Sequence, residues 1–458
     1  MSLVPPRKFR TACDRCYALK ERCVRGLSAI CGRCERLGLV CSIARPVRPI
    51  GRRPRPPRKA SSANICLSLR ERLHRDLSAS EEELIVFLLD RPDSLECLVV
   101  APSFQDAQQR SLAASLSASF PLLKDAYLAC AGALHSLQAG MSADEVRAMS
   151  LGHASSAMKT LRSLDVTSSE DAALCLALGA ALARFVYSAV GDGVAHICHY
   201  CISASAPHMA TAAIDKGMES DYSFLILLEI MECLVHRRKP TTKHSPQLQD
   251  RIDRHLGLCL PMLPHFHDIC TVSHTLVRGN STQCLARVYQ KLDQIEAAVQ
   301  NWVPSNSSQL TQYFKRAEVV NLLAQAKVYR LAALLVILRL RYTFGSEDAK
   351  ADVLSKEIMM ELRLSKAITM QPLRCVTLPF IIAAIEVRDT DMRLETLSVV
   401  DDYVDRFALV IRTATKTFLM RVWHERDSKT TSCWFDSVSK PCVVLNAIDS
   451  ASFAEITQ

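Results

Sequence analysis

The chain has 458 residues, 49% hydrophobic and 22% charged, a balance that excludes wholesale disorder and allows a sizeable buried core. Glycine is scarce, with 14 residues or about 3% against a usual ~7%, which disfavours glycine-rich nucleotide-binding folds and turn-dense β proteins. The net charge of +9 is lopsided: the first 60 residues hold 16 Lys/Arg and three Asp/Glu, a net of +13, so the remainder carries −4.

A basic head on a mildly acidic body is the pattern of a polyanion-binding module joined to something else. The head begins with Met1–Arg10, which is polar, basic and proline-containing and has no secretory-type apolar stretch. The 19 cysteines are therefore expected as reduced thiols in a cytosolic or nuclear setting. Six of them, Cys13, Cys16, Cys23, Cys31, Cys34 and Cys41, follow C-x2-C-x6-C, seven residues, then C-x2-C-x6-C. The halves CDRCYALKERC and CGRCERLGLVC repeat at an offset of 18 residues, which predicts an approximate two-fold. Structural zinc takes four ligands, and thiolate is its preferred intracellular partner. One ion wastes two cysteines and two isolated ions need eight, whereas two zincs fit six sulfurs if two thiolates bridge. A segment of ~30 residues has no adequate apolar core, so metal binding would supply its folding free energy.

These residues strongly resemble the fungal Zn2Cys6 binuclear zinc-cluster transcription factors. The resemblance implies a small cluster domain of two short helices over residues 1–45, with zinc as cofactor (two ions per chain) and Cys13 and Cys31 as bridges. It further implies a nuclear, sequence-specific regulator of RNA polymerase II genes that places a short helix in the major groove at CGG-type triplets. Lys20 and Arg22 match the family's basic positions. Tyr17 stands where Arg is common, and Ala29 stands where proline is usual. Lysine donates well to guanine O6 and N7, so Lys20 is the base-contact candidate. Arg10, Arg15, Arg22, Arg33 and Arg36 are assigned to phosphates, which set affinity and register.

Residues 46–65 form a basic linker. Arg48, Arg52 and Arg53 are its DNA-contact candidates, and five prolines from Pro46 to Pro57 favour extended chain able to follow a phosphate backbone. The run also suits nuclear import. Gly51-Arg52-Arg53-Pro54 resembles the linker of aflatoxin-pathway-type regulators of fungal secondary metabolism. Leu67, Leu69, Leu73, Leu77, Leu84 and Leu88 keep no heptad, so an amphipathic helix packed on the body is expected and homodimerisation stays open.

Residues 66–458 read as an all-α regulatory domain. Apolar residues recur at three and four positions in Leu122–Leu137, Val146–Leu164, Leu174–Val190 and Val319–Leu340. Glu81-Glu82-Glu83 is an acidic helix start, and capping boxes are expected at Ser142/Glu145 and Ser168/Asp171. Gly345 is expected to stop one helix, with later breaks at Pro372 and Pro379. Loops are expected at Gly191–Gly193, His236–Pro246 and Pro261–Pro264. Arg184 interrupts the run Ala172–Val190, and Leu331–Leu338 spans only eight residues, so both read as buried helices, with no membrane partner. SLGHASSAMKTLRSL, HICHYCIS and LPFIIAAIEVRD…VWHERD resemble the regulatory region of fungal-specific transcription factors, a region to which coregulators are the implied partners.

Two clusters in the body are decoys for a metal site. His196, Cys198, His199 and Cys201 offer ligand types on one segment, as do His265, His267 and Cys270, but neither has a second pair at metal-ligand spacing. Scattered cysteines in helices act as small buried apolar residues. The basic stretch His236–Pro240 reads as a solvated loop. No Walker loop, G-x-S-x-G or H-E-x-x-H motif is present, so the expectation is a regulator of double-stranded DNA and not an enzyme. The alternative is a zinc-cluster protein-interaction cofactor without sequence-specific DNA binding.

Overall fold

The computed structural model describes residues 12–24, 30–43, 77–90, 95–96, 98–139, 143–191, 193–209, 216–243, 252–278, 282–304 and 310–433. Arg10, Ala29, Arg48, Arg52, Arg53, the proline-rich linker, Leu67, Leu69, Leu73 and Ser142 lie outside the described residues. The chain divides into two compact units, Met1–Lys59 and Ala60–Gln458.

In the first unit, helices α1 (Asp14–Ala18) and α2 (Gly32–Arg36) have five residues each. Helices this short do not persist by propensity alone. What they pack on is sulfur: Cys13, Cys16, Cys31 and Cys34 are fully buried, with Cys23, Leu39 and Cys41 against them. Both helices end in the same left-handed turn. Glu21 N–H donates to Cys16 O and Leu39 N–H to Cys34 O, each at 2.8 Å, while Lys20 N–H reaches Tyr17 O and Gly38 N–H reaches Glu35 O. This pair of bonds satisfies the last carbonyls of each helix.

The second unit is helical throughout its described residues, apart from loops and one bridge between Asp253 and Gly257. Its first six helices are α3 (Ala79–Asp90), α4 (Gln105–Ala139), α5 (Ala143–Ser163), α6 (Ser169–Phe185), α7 (Val194–Met209) and α8 (Lys216–Val235). The remainder are α9 (Leu263–Arg278), α10 (Thr282–Asn301), α11 (Leu310–Tyr313), α12 (Arg316–Arg341), α13 (Asp348–Thr369), α14 (Thr377–Ile385), α15 (Thr390–Ser398), α16 (Val400–Tyr403) and α17 (Leu409–Asp427). Helix α6 packs against α4, α5, α7 and α8, and α12 against α9, α10, α13 and α14.

Local chemistry explains the helix ends. Ser78 accepts from Glu81 N–H and donates its own N–H to the Glu81 carboxylate at 2.7 Å, opening α3. Leu84 and Leu88 of that helix are buried in the body core, as the amphipathic reading expects. Ser168 and Asp171 form the expected reciprocal box at the start of α6. Helix α4 kinks at Ser119, which is non-helical at φ −141°, two residues before Pro121, because the proline ring clashes with the preceding turn.

Three expected boundaries shift. The helix expected to stop at Gly345 ends at Arg341. Tyr342 is already extended, and Gly345, at φ +93°, turns the chain into α13. Pro379 is the third residue of α14, a first-turn position where the missing N–H costs nothing. The expected loop Pro261–Pro264 is instead a 3-10 turn, Leu260–Met262, that runs straight into α9.

Ser169–Val190 and Arg316–Arg341 are long and apolar enough to cross a membrane by composition, yet 72% and 67% of an apolar 18-residue window in each is buried within the helical body. Close approach around α6 depends on small residues. A Cβ on Gly179 would lie 2.3 Å from Cys201 Sγ of α7. Every residue of α14 is buried, and burying each Leu, Ile or Phe contributes roughly 1.5–3 kcal/mol. Trp423 is buried and donates its indole N–H to Ala384 O at 3.0 Å.

The charge that interrupts α12 is fully accommodated. Arg339 is bidentate to Glu386 at 2.7 and 2.8 Å, reaches Asp348 at 2.9 Å, and donates to Thr343 O and Ser346 O at 3.1 Å each.

Candidate metal centre and nucleic-acid surface

The six head thiols gather into two tetrads. Cys13, Cys16, Cys23 and Cys31 form one and Cys13, Cys31, Cys34 and Cys41 the other, with the ligand atoms of each within 4.8 Å of one another. Cys13 and Cys31 belong to both. Sγ–Sγ separations of 3.8 Å are found for Cys13–Cys31, Cys13–Cys34 and Cys16–Cys31. Disulfides require about 2.05 Å. A tetrahedron with zinc–sulfur bonds of about 2.3 Å has edges of about 3.8 Å, which these three separations match, so the donor set fits zinc.

The sequence repeat is also a repeat of contacts. Asp14 N–H donates to Ser42 O at 2.9 Å and Gly32 N–H to Val24 O at 3.0 Å, each linking one helix start to the tail of the other half. Cys13 N–H lies 3.3 Å from Cys23 Sγ, and Cys31 N–H lies 3.4 Å from Cys41 Sγ. Every partner is displaced by 18 residues, as the spacing predicts.

The two shared cysteines stand at the N-caps of the two helices, and the Cys13 thiol accepts from the first turn of its helix. The Cys16 amide, 3.4 Å from Cys13 Sγ, holds that thiol below its ordinary range. The Cys34 amide does the same for Cys31, down to about 6. Burial instead pushes Cys16 up to about 12 and raises Cys34. Thiolate character is thus favoured at the positions common to both tetrads.

Arg15, Lys20, Arg22 and Arg36 are exposed. Lys20 is not on α1, as the groove-helix reading expects, but just beyond it at φ +56°, and Gly38 holds the matching place at φ +61°. A lysine in this conformation carries a cost that glycine escapes. The offset already held the signal, since position 38 is glycine. Arg33 is only 22% exposed and lies 3.7 Å from Glu21 of the other half, so its charge is partly committed within the head. Sequence reasoning missed this cross-half pair, together with Ser42 Oγ–H donating to Asp14 at 3.0 Å. The two-fold also exposes a chemical asymmetry: Lys20 and Arg22 of the first half become Gly38 and Val40 in the second.

The decoys do not converge. Cys198 and Cys201 are buried, whereas His196 and His199 are exposed, and among the described residues only the head thiols group at metal-ligand distance. His236–Pro240 is less solvated than expected. Arg237 donates to Ser273 Oγ at 3.0 Å, and Arg238 pairs with Glu232 at 2.7 Å.

No curated protein and no solved structure matches this chain. Residues 117–446, beginning at the α4 kink and covering well over half of the chain, match the fungal specific transcription factor domain. That match lies in the helical body and not in the cysteine head. By it, the chain belongs to the fungal specific transcription factor family.

Proposed function

We propose that this protein is a zinc-dependent, sequence-specific DNA-binding transcription factor acting in the nucleus on RNA polymerase II genes. The observation that carries the reading is the pair of thiol tetrads sharing Cys13 and Cys31, attached to a body of a transcription-factor family. Cys13, Cys16, Cys23, Cys31, Cys34 and Cys41 would hold two zinc ions. The metal neutralises the thiolates and supplies folding free energy to a head that has sulfur in place of a core.

Lys20, exposed on the turn after α1, is proposed to donate to guanine O6 and N7. Arg15, Arg22 and Arg36 are proposed to take phosphates, with a weaker share from Arg33. Arg10, Arg48, Arg52 and Arg53 extend this contact on sequence grounds, and each neutralised phosphate steepens the salt dependence. The resemblance adds CGG-type triplets and control of a secondary-metabolite gene cluster to the proposal. Coregulators on the helical body and homodimerisation on paired sites belong to it as well.

A second reading, a protein-interaction role for the head, is favoured by Leu37 and Val40, which are 52% and 81% exposed on the half that lacks the Lys20 cation. Equilibrium binding of the full chain to CGG-bearing and scrambled duplexes, at two salt concentrations and with or without a zinc chelator, separates the two. Chelator-sensitive preference for CGG supports DNA recognition. Equal, purely salt-dependent affinity for both duplexes contradicts it.

A further inference from the structure

Two cavities open within the helical body, and Cys375 and Asp405 line both. The inner one, about 30 Å³, is bounded largely by apolar side chains, among them Leu227, Leu228, Met231 and Leu378. The outer one, about 320 Å³, is polar and includes Glu96, Arg374 and Arg406.

Arg184 stands in the wall of the inner chamber, only 5% exposed. Among the described residues, its acceptors are Asp221 Oδ1 at 3.4 Å and His255 Nε2 at 3.1 Å, both on Nη2. Nε and Nη1 meet no acceptor there, and the guanidinium lies 4.3 Å from the centre of the Phe224 ring. His255 Nδ1 is 2.7 Å from Leu98 O, so it donates there and leaves Nε2 to accept. Burial keeps this imidazole neutral. Arg339 makes the contrast within the same body, with every donor nitrogen engaged and two carboxylates in reach. With its hydrogen bonds running through Nη2 alone, the Arg184 guanidinium keeps donors free for an incoming acceptor.

The surroundings carry two further marks. Helix α6 passes into a π turn, Val186–Val190, immediately after Arg184 and Phe185, and isolated π turns concentrate at functional sites. The segment between α13 and α14, which contributes Cys375 to both cavities, holds Met370 and Cys375 at φ +58° and +55°. Non-glycine residues in this conformation are strained and cluster at ligand clamps and switches.

We propose that the inner chamber is a binding site for a small monocarboxylic acid with an apolar body. The carboxylate supplies the acceptors that Arg184 Nε and Nη1 lack. The apolar body packs on Leu227, Leu228, Met231 and Leu378, and the strained segment shifts to admit it from the outer cavity past Cys375 and Asp405. At about 30 Å³ the chamber as it stands holds only one or two waters, so occupancy requires that movement. This regulatory input goes beyond DNA binding and does not depend on it.

Cys375 is a reporter in place, because it is partly exposed while the other described body cysteines are buried. The full chain is treated with iodoacetamide in the presence of acetate, butyrate or octanoate, and of butyramide as the neutral control, at matched ionic strength. Labelling of Cys375 is followed by peptide mass spectrometry, and Tm is read in parallel. At ten times its Kd the best acid is expected to slow labelling about tenfold by mass action and to raise Tm, while butyramide does neither. Arg184→Met removes both effects; should that variant not fold, the acid–amide comparison on the unsubstituted protein still decides. Three results each overturn the proposal: no acid affects labelling or Tm, butyramide protects as well as butyrate, or folded Arg184→Met still responds.

Discussion

Lys20→Gly separates the stability of the head from its recognition chemistry. Lys20 sits at φ +56°, and its two-fold counterpart is already glycine at φ +61°. Relieving the Cβ clash in this conformation is worth about 1–2 kcal/mol. The greater freedom of glycine in the unfolded chain returns about 0.4–1 kcal/mol of that. The net expectation is a head more stable by about 0.5–1 kcal/mol. Because metal binding and folding are one equilibrium in such a domain, the gain reads out as a two- to fivefold rise in zinc affinity by chelator competition. The same substitution removes a base contact worth about 1–3 kcal/mol of discrimination. Preference for the selected DNA site over a scrambled duplex is therefore expected to fall about 5- to 150-fold. Lys20→Ala is the control, losing discrimination without gaining stability because its Cβ remains. Weaker zinc binding in Lys20→Gly, or unchanged discrimination, refutes the reasoning.

Three further predictions follow from named contacts. Cys31→Ala removes a ligand from both tetrads and Cys41→Ala from one, so metal analysis of the purified chain is expected to find no tightly held zinc in the first and about one ion in the second; equal retention in both would contradict the shared position. Gly179→Ala drives a Cβ to 2.3 Å from Cys201 Sγ and is expected to cost about 1–3 kcal/mol by overpacking, with partial recovery in Gly179→Ala/Cys201→Ala by urea denaturation; independent, additive costs would show that this contact is not the cause. Burial raises the Glu81 carboxyl, but the Ser78 N–H and O–H bonds and Lys124 outweigh it and bring it to about 2, below its usual 4.5. Its stabilisation is therefore full above about pH 4.5 and lost as pH falls towards 2, so Glu81→Gln is expected to flatten that part of the stability–pH curve, and an unchanged slope would remove Glu81 from the account.

The head was legible from spacing because metal ligation is local: six cysteines at an 18-residue offset define both the tetrads and the two-fold. The left-handed turn at Lys20 was less visible, since propensity does not place lysine there, although glycine at position 38 marked it. In the body, helix existence followed from apolar periodicity, and Ser168/Asp171 and Leu84/Leu88 behave as their patterns expect. What one sequence does not encode locally is pairing across the fold. Arg184 and Arg339 look alike as single cations in apolar runs, yet one finds Glu386 and Asp348 while the other faces a cavity. Pro379 and Pro264 read as breakers because their first-turn positions depend on where the helices begin.

Selection of random duplex DNA by the zinc-loaded full chain, run in parallel at two salt concentrations, tests the central claim most directly. Enrichment of a CGG-type triplet that persists at the higher salt and disappears with Lys20→Gly is the predicted result. Recovery of only salt-sensitive DNA without a common sequence would contradict it and leave the head as a non-specific or protein-binding module.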